Sequence, residues 1–200
     1  MAAGDQTVFG RETTGKGLAE SAGLTMAAEL RPSIINAALW FPSRLPRQKW
    51  EKLREVVLKR DNYTCGFCRH RSLKWMNIHH LASNSDRPSN LKTICVACHA
   101  VLHIGFNLEH GIIEIWKSDI PQVEIVRRTR EGIASGKSLA QIRKAFHLKK
   151  GRHPPKSVEY ANDLIKQMRN SPRAYLEKPL CAIFVNLKRW QIGHESGSQA

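Results

Sequence analysis

Residues 77–103 read NIHHLASNSDRPSNLKTICVACHAVLH: four histidines, two cysteines and three asparagines in one short segment. The fold depends on how these donors are divided. They can serve one metal ion, serve two, or form a polar loop with no chemistry.

The cysteines separate first. Cys95-Val-Ala-Cys98 has an upstream counterpart in Cys65-Gly-Phe-Cys68, with 26 residues between the pairs. Each short spacing can bring two sulfurs to one ion, and two such knuckles supply four thiolates to a tetrahedral Zn²⁺. A redox pair would be single, and disulfides are disfavoured in a reducing compartment. The pattern predicts a structural zinc site on Cys65, Cys68, Cys95 and Cys98, stapling the segment after the first helix to the segment before His99. The fifth cysteine, Cys181, lies in an apolar run and reads as a small buried hydrophobe.

Four sulfur ligands close a zinc ion to substrate, so the histidines need their own explanation. His99 and His103 stand at i and i+4 on a predicted helix, one turn apart on one face. That spacing lets two imidazoles grip one ion. His79 and His80 end a predicted strand, WMNIHHL, where neighbours point to opposite faces. One of that pair can ligate while the other acts as a base. Taken singly, such a histidine is more often a surface or hydrogen-bonded core residue. Four of them bracketing a Cys₄ site weaken that reading.

Outward from this segment, PRQKWEKLREVVLKRD reads as an amphipathic helix with Trp50, Leu53 and Val57 on one face and Pro46 at its start. SIINAALWF, from Ser33, predicts a strand or short buried segment, and IIEIW a further strand. Residues 121–151 carry two helical patterns joined by SGKS, with Ser138 as cap and Leu139, Ile142 and Phe146 on one face. The pair loosely suggests a helix-turn-helix that could enter a major groove. Another helix is predicted from Val158 to Met168, followed by the apolar stretch PLCAIFVNLKRW and a frayed tail. The first 30 residues read as a poorly ordered lead-in with one Ala-rich helix over 18–30. GRETTGKG, at 10–17, comes close to a phosphate-binding loop, but Gly17 stands where a hydroxyl must meet Mg²⁺.

Charge narrows the partners. The net charge of +15 is spread unevenly. Residues 1–45 carry four basic and four acidic residues, 46–118 carry 12 against 6, and 119–200 carry 16 against 7. Such a surface suits a polyanion, because each neutralised phosphate releases counterions. No run approaches the ~20 apolar residues of a membrane helix. Nor does the N-terminus carry a basic region followed by an apolar run, so a cytoplasmic protein without a membrane partner is expected.

With these residues in place, the chain resembles the HNH endonucleases of the ββα-metal (His-Me finger) superfamily. REVVLKRDNYTCGFC, IHHL and SNLKTICVACHAVLH carry the likeness, over 54–103 or about a quarter of the chain. The resemblance implies an α+β protein. A ββα-metal HNH core, stapled by the Cys₄ zinc, would occupy 46–118. A partly disordered extension over 1–45 and a basic, mainly helical region over 119–200 would flank it. By the same likeness His80 matches the general base, and His79, His99 and His103 match ligands of a catalytic divalent metal. Asn90 matches the asparagine that pins the loop and orients the base, with Asn84 the other candidate. All-imidazole ligation suits Zn²⁺, Ni²⁺ or Co²⁺, whereas family members commonly work with Mg²⁺ or Mn²⁺. DNA is the implied substrate, and Lys52, Arg54, Lys59, Arg60, Arg69, Arg71, Lys74 and Arg87 are candidate phosphate contacts. The same cysteine frame also resembles HNH-like subunits of type IVB secretion coupling complexes, where it serves assembly with protein partners. A zinc-stabilised DNA-binding protein using the 121–148 hairpin is a third expectation.

Overall fold

A computed structural model describes residues 29–35, 45–81, 85–168 and 173–191. The near phosphate-binding loop, Asn84 and the last residues of the chain lie outside them. So does most of the predicted Ala-rich helix, of which Glu29 and Leu30 are described and are not helical.

Helix α1, Arg47–Arg60, begins directly after Pro46, whose carbonyl accepts from the Lys49 and Trp50 amides. Proline suits this place because the first helical amides need no intrahelical partner. Val57 and Leu58 are buried, while Lys52, Glu55 and Lys59 stay on the outer face. The chain leaves the helix through Asn62 and Tyr63, both at positive φ, into the first cysteine knuckle. There the Cys65 amide donates to the His70 carbonyl and the Arg69 amide to the Cys65 carbonyl.

Strands β2 (Met76–His80) and β3 (Leu91–Cys95) then form an antiparallel hairpin, with Met76 opposite Cys95 and His80 opposite Leu91. The end of α1 is tied to it. Arg60 donates to the Pro88 and Leu91 carbonyls, and Asp61 accepts the Thr93 amide at 2.8 Å. Helix α2 (Val96–Leu102) follows β3 without a loop, and α3 (Ile104–Glu109) follows after His103.

The rest of the chain wraps this unit. β4 (Ile113–Lys117) pairs with β6 (Leu180–Phe184), and β1 (Ser33–Ile35) pairs with β5 (Arg173–Tyr175), both antiparallel. The Ser33 hydroxyl donates to the Leu102 carbonyl at the end of α2, joining β1 to the central unit. Helices α4 (Gln122–Ala134), α5 (Leu139–Ala145), α6 (Val158–Met168) and α7 (Leu187–Gln191) complete a mixed α+β fold with small two-stranded sheets. Ser138 caps α5 in a capping box with Gln141, as its place in the sequence predicts. Gln122 both donates to and accepts from the Ala182 backbone, tying α4 to β6.

One core runs through Ile94, Val101, Ile104, Ile113, Val126 and Trp190, drawing on both halves of the chain. A second gathers Ile125, Ile142, Phe146, Cys181 and Ile183. Cys181 is buried there as expected, and burial pushes its thiol up to about 12. In α5, Arg143 donates to the buried Glu114 carboxylate at 2.6 Å and lies over the Trp116 ring. Among the described residues no helix is long and apolar enough to cross a membrane.

Asp61 is the carboxylate that holds the hairpin to α1. Burial acts to raise its pKa, but the hydrogen bonds from Arg60 and the Thr93 amide outweigh it and hold the carboxyl below its ordinary range. A carboxyl lowered by folding contributes stability above its unfolded pKa, ~3.9, and loses it as pH falls through the folded value. Asp61→Asn is therefore expected to lower the urea midpoint at neutral pH, with the gap to the parent closing below about pH 4. A gap that stays constant into acid would contradict this role.

Candidate metal centres

The first centre is built by chain ends that secondary structure aims at one point. Cys65 and Cys68 come from the knuckle after α1. Cys95 ends β3, and Cys98 lies in the first turn of α2. All four are buried, with sulfurs within 4.8 Å of one another. Cys68 Sγ and Cys95 Sγ are 3.6 Å apart. Sulfurs at the corners of a tetrahedron around zinc, with bonds of ~2.3 Å, stand ~3.8 Å apart. The donor set thus fits Zn²⁺ in both chemistry and spacing, and the cluster can hold such an ion.

The four thiols share protons among themselves, and a cation stands beside them. The S–H groups of Cys68, Cys95 and Cys98 hold the Cys65 thiol far below its ordinary range. Cys95 and Cys98, whose protons are shared chiefly with Cys65, are pushed up. From α4, Arg130 Nη2 reaches Cys95 Sγ at 3.5 Å, and the same guanidinium stacks over Trp190. A cation against a sulfur is favoured when that sulfur is a thiolate, the form that binds metal. Arg127 adds a contact to the Cys68 carbonyl. Neither arginine is signalled by a local motif, because both arrive through the packing of α4.

The second group lies one residue beyond the first. His99 follows Cys98 on α2, and His103 ends that helix. His79 sits on β2 with its side chain buried. The three imidazoles offer nitrogens within 4.8 Å of one another. Their rings meet edge to face, with centroids 5.5, 5.5 and 4.5 Å apart. Burial lowers the His99 pKa to about 4, leaving the neutral imidazole that ligates metal. Asn77, two residues before His79 on the same strand face, lies 3.4 Å from His99 Nδ1. An amide at that nitrogen steers the ring, as second partners of metal-bound histidines do.

His80 points away from this trio, as strand alternation requires. Its Nε2 lies 3.0 Å from Asp86 Oδ1, both side chains are 19% exposed, and its ring stacks on Trp50. Asp86 is a loop residue that no pattern in the sequence singles out. Asn90 reinforces that loop: its side-chain amide donates to the Ser85 carbonyl, and its own carbonyl accepts the Leu81 amide.

The eight basic candidates divide. Arg54 donates to the Met76 carbonyl, Lys59 pairs with Glu55, and Arg60 holds the hairpin. Lys52, Arg69, Arg71, Lys74 and Arg87 are exposed. A scan against protein-family models matches none, and a search of the curated proteins finds no match either.

The two groups of ligands predict separable metal occupancy. Metal analysis of the purified chain is expected to find one firmly held zinc, lost with misfolding in Cys65→Ser and kept in His99→Ala. Only the exchangeable ion is expected to disappear in His99→Ala. Loss of both ions in His99→Ala would show a single mixed site.

Proposed function

We propose that this chain is a metal-dependent endonuclease of the HNH type that hydrolyses DNA phosphodiester bonds. The observation that carries the reading is the division of neighbouring histidines: three converge as ligands, and His80, on the opposite face of β2, pairs with a carboxylate. A binding protein needs the Cys₄ scaffold but has no use for an oriented base beside a set of imidazoles.

Asp86 accepts from His80 Nε2–H, which places the lone pair on Nδ1. That nitrogen takes a proton from water as the water attacks phosphorus, and Asp86 then faces the imidazolium that forms. The Trp50 ring lies nearly parallel to the base, with centroids 6.1 Å apart. Asn90 keeps the loop in place and with it Asp86. His79, His99 and His103 are the residues that would hold a divalent cation, and a bound ion supplies Lewis-acid stabilisation of charge on a phosphate oxygen and the departing oxygen. Lys52, Arg69, Arg71, Lys74 and Arg87 are exposed and carry the charge to meet backbone phosphates.

A plasmid-nicking assay across Mg²⁺, Mn²⁺, Zn²⁺, Ni²⁺ and Co²⁺ tests the reading. At least one ion should support cutting, with His80→Ala slower by ~10²–10⁴. No cutting with any ion, or His80→Ala cutting as well as the parent, would falsify it. Asp86→Asn is expected to lower kcat by less than loss of His80 does, with KM little changed. A change confined to KM would assign Asp86 to substrate binding instead.

A further inference from the structure

The loop that joins the first knuckle to β2 holds features neither metal centre uses. Residues 69–75 read Arg-His-Arg-Ser-Leu-Lys-Trp. Leu73 is 62% exposed and Trp75 is 46% exposed. Trp75 also sits at φ 59° and Arg69 at φ 65°. A bulky residue in the left-handed region is an outlier, and such strain persists where the surroundings impose it and is enriched at ligand sites. The Arg189 guanidinium of α7 lies 5.0 Å from the Trp75 ring centroid, covering one face of the indole.

The charge around this tryptophan is uncompensated. Among the described residues, Arg69, Arg71, Lys74 and Arg189 form no ion pair. An exposed indole beside cations that no carboxylate neutralises is the composition that binds unpaired nucleic-acid strands. Bases stack on the ring whatever their identity, and the cations follow the phosphates. An acidic protein would use the cations and leave the indole idle. An intact duplex keeps its base faces stacked inside.

This surface adjoins His99 of the trio. A cavity of about 130 Å³ is lined by Asn77, His99, Asn107, Asn186 and Arg189. Arg189 and Val96 also line the depression that holds Lys74 and Trp75. Arg189 thus borders both the cavity at His99 and the depression at the indole. Trp75 stands directly before β2, five residues from His80, or ~16 Å along an extended strand.

We propose that the surface from His99 to Trp75 binds a single-stranded segment of nucleic acid, with a base stacked on the Trp75 indole and phosphates on Arg189 and Lys74. The proposal deepens the nuclease reading and rests on it for the choice of polyanion. A nuclease built this way holds the strand beside the scissile phosphate unpaired, as at a nick, a flap or a frayed end.

The test separates binding from cutting by using the zinc-loaded His80→Ala chain without added catalytic metal. Fluorescence anisotropy is measured with a labelled oligothymidylate of about twelve nucleotides and with the matching duplex. Tighter binding of the single strand is expected. Adding Trp75→Ala should weaken it about tenfold, and Trp75→Phe should restore most of the loss. Adding Arg189→Ala should lower the slope of log affinity against log salt by about one contact. Zinc content and circular dichroism of each variant show whether it has folded. Unchanged single-strand binding in a folded Trp75→Ala variant would overturn the proposal. So would a preference for duplex, or displacement by polyglutamate as effective as by unlabelled single strand. Tight, Trp75-dependent binding by a parent that cuts nothing would retire the nuclease reading and leave this surface standing.

Discussion

Four sulfurs meeting at one point fix the register of everything around them. Cys65 and Cys68 lie on the turn that leaves α1, and Cys95 and Cys98 lie on the junction of β3 with α2. Once these converge, the β2–β3 hairpin can only lie between them, and α2 can only start where it does. His99 is the next residue after a ligand, so its position follows from the sulfur cluster rather than from local propensity. Zinc bound by such sites contributes ~10–16 kcal/mol, as large as the whole stability of a typical domain, ~5–15 kcal/mol. Helix α2 has only seven residues, below the length at which an isolated helix is stable in water. Its rigidity therefore comes from its neighbours.

The second consequence is a separation of roles along one short stretch. Odd and even positions of β2 face opposite ways, so His79 turns toward α2 and His80 toward α1 and the loop. Two histidines adjacent in sequence thus stand in separate surroundings, one among imidazoles and one beside a carboxylate. Asp86 and Asn90 then support the His80 side of the strand, whereas Asn77 contacts His99 on the other. Outside this stretch, Arg130 connects the C-terminal half to the sulfurs, and Ser33 connects the N-terminal strand to the end of α2. Segments far apart in sequence thereby share one core.

What could be read from sequence was what local spacing encodes. The paired CxxC knuckles, the i, i+4 histidines, the face of α1, the cap at Ser138 and the span of α6 are all short-range patterns, and each appears where its spacing places it. The pairings of β1 with β5 and β4 with β6 were not legible, because they join residues far apart in sequence, such as Ser33 with Tyr175 and Ile113 with Phe184. The stretch from Leu180 to Phe184 read only as apolar, since a strand buried on both faces loses its alternation. Asp86 was invisible for a related reason. It belongs to a loop, and its partner is chosen by where the hairpin puts His80. Arg127 and Arg130 looked like two charges among many on a basic helix until α4 packed against the knuckle.

Under the proposed reading, sulfurs and imidazoles hold two different ions. X-ray absorption on a chain loaded with both zinc and manganese tests it most directly, because each edge reports one metal's neighbours. Zinc is expected to be surrounded by four sulfurs at ~2.3 Å and manganese by nitrogen and oxygen alone. Sulfur and imidazole nitrogen found together around one metal, with the other left in solution, would contradict it.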